Sequence, residues 1–174
     1  MRKILLLLCL ALSLFALQND KDMLSGELKN GLKYYIKENK LPQNTAIFYL
    51  VVSSGSTDER DGEQGLAHFL EHMAFNGSRD FSKNELIKQL ESLGVKFGAD
   101  LNAQTSYDQT SYTLSINVNE KNLKDVFKVF SNWIDGVKID AGELDKERGV
   151  IMEEERQRNT PAYRLYLAQS KDIF

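Results

Sequence analysis

Along this chain the spacing of apolar residues changes character several times, and each change marks an element. Ile4 to Leu17 is an almost unbroken apolar run behind the basic pair Arg2 and Lys3. It stops at the polar Gln18-Asn19-Asp20, and reads as a cleavable export signal over 1–16 rather than a buried helix or a membrane span. Glu27-Leu28, Lys29-Asn30-Gly31 and then Leu32 to Lys37 predict a hairpin whose Asn-Gly pair supplies the positive-φ residues of a tight turn. Thr45 to Ser53 is β-branched and aromatic, and predicts a largely buried strand. A polar loop follows from Ser54 to Gly65, then a helical pattern from Leu66 to Phe75 that stops at Asn76-Gly77.

The second half of the chain repeats this vocabulary. Ser82 and Glu85 fit a capping box for a helix reaching Leu93 and ended by Gly94. Val95 to Ala103 and Thr110 to Val118 read as strands, the second alternating through Tyr112, Leu114, Ile116 and Val118. Lys121 to Ile134 is amphipathic, with apolar residues at 123, 126, 127, 130 and 134. Asp140 and Glu143 predict another capping box, for a helix to about Arg158, and Thr160-Pro161 opens a last one. Strands followed by helices over short loops predict an α+β fold, a two-layer sandwich of a mostly antiparallel sheet and packed helices. The apolar helical pattern continues through Ile173 and Phe174, so 17–174 is expected to form one domain, incomplete at its C-terminus.

Charge and cysteine content narrow the function classes. Lys and Arg number 22 against 25 Asp and Glu, with no basic stripe, which argues against a nucleic-acid partner. The single cysteine, Cys9, falls inside the export signal, so the mature chain would hold together without disulfides. Together these predict a periplasmic or secreted protein that meets the membrane only during export.

The chemistry concentrates in His68-Phe69-Leu70-Glu71-His72, which contains both histidines of the chain. Four residues apart on a helix, the two imidazoles share one face and can grip one ion. Glu71 lies close enough to serve as general base to a zinc-bound water. The plainer alternative is an amphipathic helix with two surface histidines. A catalytic zinc usually takes three protein ligands, and with no other His or Cys in the mature chain the third must be a carboxylate. Residues 144, 147, 151 and 154 form one stripe of the Asp140-capped helix, where Leu144 and Ile151 mark a core-facing side that Glu147 and Glu154 share. Buried carboxylates need a partner or a metal, which favours Glu154; Glu153 and Glu155 remain alternatives of register, and ion pairs to Arg148, Arg156 and Arg158 a competing explanation.

His68-Phe69-Leu70-Glu71-His72-Met73, with Glu147-Arg148-Gly149-Val150-Ile151-Met152-Glu153-Glu154 downstream, resembles the insulinase/pitrilysin family of zinc peptidases, the inverzincins. The resemblance runs from about Gly26 to the C-terminus. It implies one Zn2+ held by His68, His72 and Glu154, with Glu71 as the catalytic base in peptide-bond hydrolysis. It also implies that Glu147 steadies the site from behind the ligands. The stretch from Gly98 to Tyr112 is similar to the family's strand beside the metal, which would take peptide substrate at Asn102 and Ala103 as an added strand. The resemblance further implies a homologous C-terminal half, or a partner subunit, that completes the site. Competing readings are a non-catalytic binding or assembly subunit, an inactive fragment that binds zinc, and an unrelated exported zinc-buffering protein.

Overall fold

The structure, a computed structural model, describes residues 20–170. The expected export signal over 1–16, with Cys9, and the apolar pair Ile173 and Phe174 lie outside the described residues. The chain divides into one unit ending at Gln43 and another beginning at Asn44. In the first, β1 (Met23–Glu27) and β2 (Lys33–Lys37) pair antiparallel, with Met23 opposite Lys37 and Glu27 opposite Lys33. The turn differs from the expected Asn-Gly geometry. Gly31 is left-handed at φ +87° but Asn30 is not, and Leu28 bonds Gly31 N at 2.9 Å and Leu32 O at 2.8 Å. A three-residue loop with glycine in the left-handed position matches the strand twist, so one positive φ suffices.

The second unit carries a three-stranded antiparallel sheet in the order β3-β5-β4, from β3 (Thr45–Val52), β4 (Leu101–Thr105) and β5 (Thr110–Asn117). Its helices are α1 (Leu66–Met73), α2 (Lys83–Ser92), α3 (Glu120–Asp135), α4 (Ala141–Arg158) and α5 (Pro161–Ser170). None of the described helices is long and apolar enough to cross a membrane. The core lies between one face of the sheet and the helices. Leu50, Leu101, Tyr112, Leu114 and Ile116 meet Leu86 and Leu90 of α2 and Val126, Val129, Phe130 and Trp133 of α3. This is the predicted α+β arrangement of antiparallel strands under helices.

Three expectations about its elements change. β3 is only half buried: Ile47, Tyr49 and Val51 alternate outward and are exposed, because the core covers one face of the sheet. β4 starts at Leu101 rather than Val95. Gly98 adopts φ +81°, and Lys96 O accepts from Ala99, Asp100 and Leu101, so 95–100 coils into a turn before the strand. On α3 the buried stripe is Val126, Val129, Phe130 and Trp133, while Phe127 is 63% exposed. Phe127 instead meets Phe48 edge-on at 5.6 Å. The Ser82–Glu85 capping box forms as expected. At α4, Asp140 caps alone, accepting from Gly142 N and Glu143 N, while Glu143 turns to Lys146 and Lys83.

Candidate metal centre

Everything at the site depends on how α1 is held. Its N-cap, Gly65, has no side chain to offer the first turn, and takes φ +91°. Glu59 replaces it from the preceding loop, its carboxylate accepting from Gly65 N and Ala67 N at 2.8 Å each. An anion at this end also suits the helix dipole. The loop is itself anchored to the β4–β5 turn, with Ser56 N donating to Ser106 O at 3.1 Å and Thr57 N to Tyr107 O at 2.8 Å. That close approach requires glycine at 55, where a Cβ would stand 2.4 Å from Ser106 O. At the other end, Trp133 Nε1 donates to Ala74 O at 3.1 Å and packs against Phe75 and Tyr112.

On this fixed helix the two imidazoles meet, His68 Nε2 and His72 Nε2 lying 3.1 Å apart. Glu154 Oε2 from α4 stands 3.5 Å from His68 Nε2 and 3.7 Å from His72 Nε2. A tetrahedral zinc with bonds of about 2.0–2.1 Å separates its donors by about 3.3–3.4 Å, so the spacing and the N, N, O donor set fit that ion. Arg158 Nη2 approaches the same Glu154 oxygen at 3.4 Å. Burial, and then the neighbouring His72, push the His68 imidazole below its usual pKa, which keeps it neutral and able to ligate.

Glu147, 9% exposed, lies behind His72, with Oε1 2.7 Å from His72 Nδ1. Asn76 Nδ2 donates to its other oxygen at 2.7 Å. Burial pushes the Glu147 carboxyl up, but the hydrogen bonds from His72 and Asn76 outweigh this and hold it below the usual range. An ionised acceptor at Nδ1 assigns the proton there and leaves the Nε2 lone pair facing His68 and Glu154. Glu71, 7% exposed, accepts from Thr105 Oγ1 at 2.7 Å through Oε2. Thr110 Oγ1, 3.4 Å from the Thr105 hydroxyl, donates to Ser54 O at 3.0 Å. Burial, and then the Glu71 charge, raise the Tyr112 phenol well above its ordinary value, so it stays protonated.

Among the described residues, His68, His72 and Glu154 form the one cluster that could hold a metal ion. Leu144, Glu147, Ile151 and Glu154 all lie on the shielded side of α4. Glu153 points elsewhere and pairs with Arg156 at 2.7 Å, and Glu155 is exposed. Asn102 and Ala103 sit on β4, an edge strand of the sheet, and neither belongs to the donor cluster; Asn102 Nδ2 donates to Gly98 O at 3.2 Å. Sequence reasoning gave no role to Glu59, Asn76 or Thr105. Asn76 stands four positions after His72, one helical turn on, but followed by Gly77 it reads as a helix stop. Nothing local marks Thr105 as the partner of Glu71.

The insulinase family model (Insulinase, peptidase family M16) matches residues 34–169. A probable zinc protease, PqqL, of Escherichia coli (strain K12) is 41% identical over 150 residues, covering 86% of this chain and 16% of that protein. The chloroplastic stromal processing peptidase of Arabidopsis thaliana is 35% identical over 147 residues, covering 80% of this chain and 11% of the peptidase. The crystal structure of the periplasmic protease PqqL from Escherichia coli superposes with a TM-score of 0.82 at 40% identity, over 88% of this chain and 17% of that one. The chain thus spans under a fifth of the length of these relatives. With its matched region running through both the histidine helix and α4, the chain belongs to the insulinase family of peptidases, family M16.

Proposed function

We propose that this chain carries the metal-binding part of a zinc endopeptidase acting on peptides or unfolded segments. The observation that supports this most directly is the convergence of His68 Nε2, His72 Nε2 and Glu154 Oε2 beside a buried glutamate on the same helix. His68, His72 and Glu154 hold one zinc, which when bound supplies Lewis acidity to a water and to the substrate carbonyl. Glu147 orients His72 and selects the tautomer whose Nε2 lone pair faces the ion. Glu71 takes the proton of the attacking water and passes a proton to the departing amine, while Thr105 engages its other oxygen. Asn102 and Ala103, on edge strand β4, receive the substrate backbone as an added strand.

Location and partners extend the same reading. The relative described as a periplasmic protease supports a periplasmic or secreted place for a domain over 17–174, released from an export signal over 1–16. Since the chain spans 16% of that relative's curated sequence, turnover is proposed to draw on a homologous half or partner subunit from outside these residues. The test uses the protein extended to its relatives' length. Glu71→Gln should keep its zinc by elemental analysis while hydrolysis of an unstructured peptide falls at least about a hundredfold. In the unsubstituted protein a chelator should abolish hydrolysis and added zinc restore it. Near-normal hydrolysis by the Gln variant would remove Glu71 from the role of base. Zinc retention without any hydrolysis in the unsubstituted protein would favour a binding or assembly subunit instead.

A further inference from the structure

Asn76 lies just beyond the C-terminal end of α1 and is 8% exposed. Its Nδ2 donates to Glu147 Oε2 at 2.7 Å and to the main-chain oxygen of His72 at 3.3 Å. Glu147 Oε1 in turn lies 2.7 Å from His72 Nδ1. The three residues therefore close a ring of hydrogen bonds: His72 ring to Glu147, Glu147 to Asn76, Asn76 back to the His72 main chain. An amide NH2 has two hydrogens, one for each acceptor, so this side chain suits both contacts at once. The ring ties the imidazole to its own backbone, which limits how far His72 Nε2 can swing from His68 and Glu154.

We propose that Asn76 is a positioning residue of the metal centre, acting through Glu147 to hold His72 in its ligating orientation. This rests on the zinc-site reading above and names a residue that sets the affinity of that site. Only a donor can serve. An aspartate would press a second carboxylate against Glu147, and an alanine would leave a buried carboxylate oxygen unpaired. Orientation lost in this way is recovered at the moment of binding, so it appears as weaker zinc affinity even where no ligand has been touched.

The experiment measures zinc affinity of the chain by competition with a chromophoric chelator. Asn76→Ala is made alone and in a Glu147→Ala background, with Asn76→Asp in the same two backgrounds in case the alanine variant does not fold. Asn76→Ala and Asn76→Asp should each weaken zinc binding about tenfold. In the Glu147→Ala background the same changes should shift affinity by less than about twofold, because the group through which Asn76 acts is gone. Affinity within twofold of the unsubstituted chain for the single variants would overturn the proposal. So would a loss undiminished by Glu147→Ala, which would mean Asn76 merely supports the fold. Failure of the unsubstituted chain to bind zinc would instead overturn the site reading itself, an outcome distinct from either of these.

Discussion

Thr105 reaches from the end of β4 to one oxygen of Glu71, and its hydroxyl is a partner that makes the carboxylate's burial tolerable. Thr105→Val keeps the shape and removes the donor. It should cost about 1–3 kcal/mol of unfolding free energy by chemical denaturation, with Thr105→Ser recovering most of it. Equal stability of the valine and serine variants would show that Glu71 is satisfied in another way. At this scale the sequence discloses what is local. His68, Glu71 and His72 lie within one turn of each other, so their spacing alone brings them together. Glu154 is separated from them in sequence, yet its phase against Leu144, Glu147 and Ile151 marks the shielded side of α4. The donors that position these groups were not legible, because their partners are remote: Thr105 lies 34 positions from Glu71, and Asn76 lies 71 from Glu147.

Among elements, α1 depends most on a group outside itself. Its own N-cap is a glycine, and Glu59 alone supplies carboxylate oxygens to Gly65 N and Ala67 N. Glu59→Ala should therefore destabilise the chain by about 1 kcal/mol, read as a lower denaturation midpoint with unchanged cooperativity. An unaltered midpoint would mean that water caps the helix equally well. Helix starts with a local cap were readable, as Ser82 and Asp140 show, whereas a cap arriving from six and eight positions away leaves no such pattern. Strand burial was overestimated for the related reason that composition does not reveal how many faces are covered. Ile47, Tyr49 and Val51 suit a strand well, yet they look away from the helices. The helical face of α3 shifted for want of a partner in view: Phe127 has the hydrophobicity of a core residue, but Trp133 and Val129 occupy the positions that meet the sheet and α1.

For the molecule as a whole, the proposed zinc joins α1 to α4 and binds the folded chain in preference to the unfolded one. At a free zinc concentration a hundredfold above its dissociation constant, it should add about 2.7 kcal/mol of stability. For a chain of this size the melting temperature should then rise by about 5–10 °C, and a chelator should reverse the rise. Identical melting curves with and without zinc would argue against a site assembled only in the native fold. The α+β class was legible because alternating strand and helix patterns are each locally encoded. The meeting of the third donor with the first two was legible only through the phase of Glu154 on the shielded side of α4 and the family resemblance, since it joins chain segments far apart in sequence. That separation also sets an order of events. His72 and Glu154 enclose roughly eighty residues, and contacts over such spans form late because loop closure must precede them. A chain elongating from its N-terminus exposes the histidine pair long before α4 exists, and at that stage offers an ion two ligands and no docking helix. Tight retention of the proposed zinc thus begins only when α4 has come to rest, and its onset in time-resolved refolding reports the docking of α4 against α1.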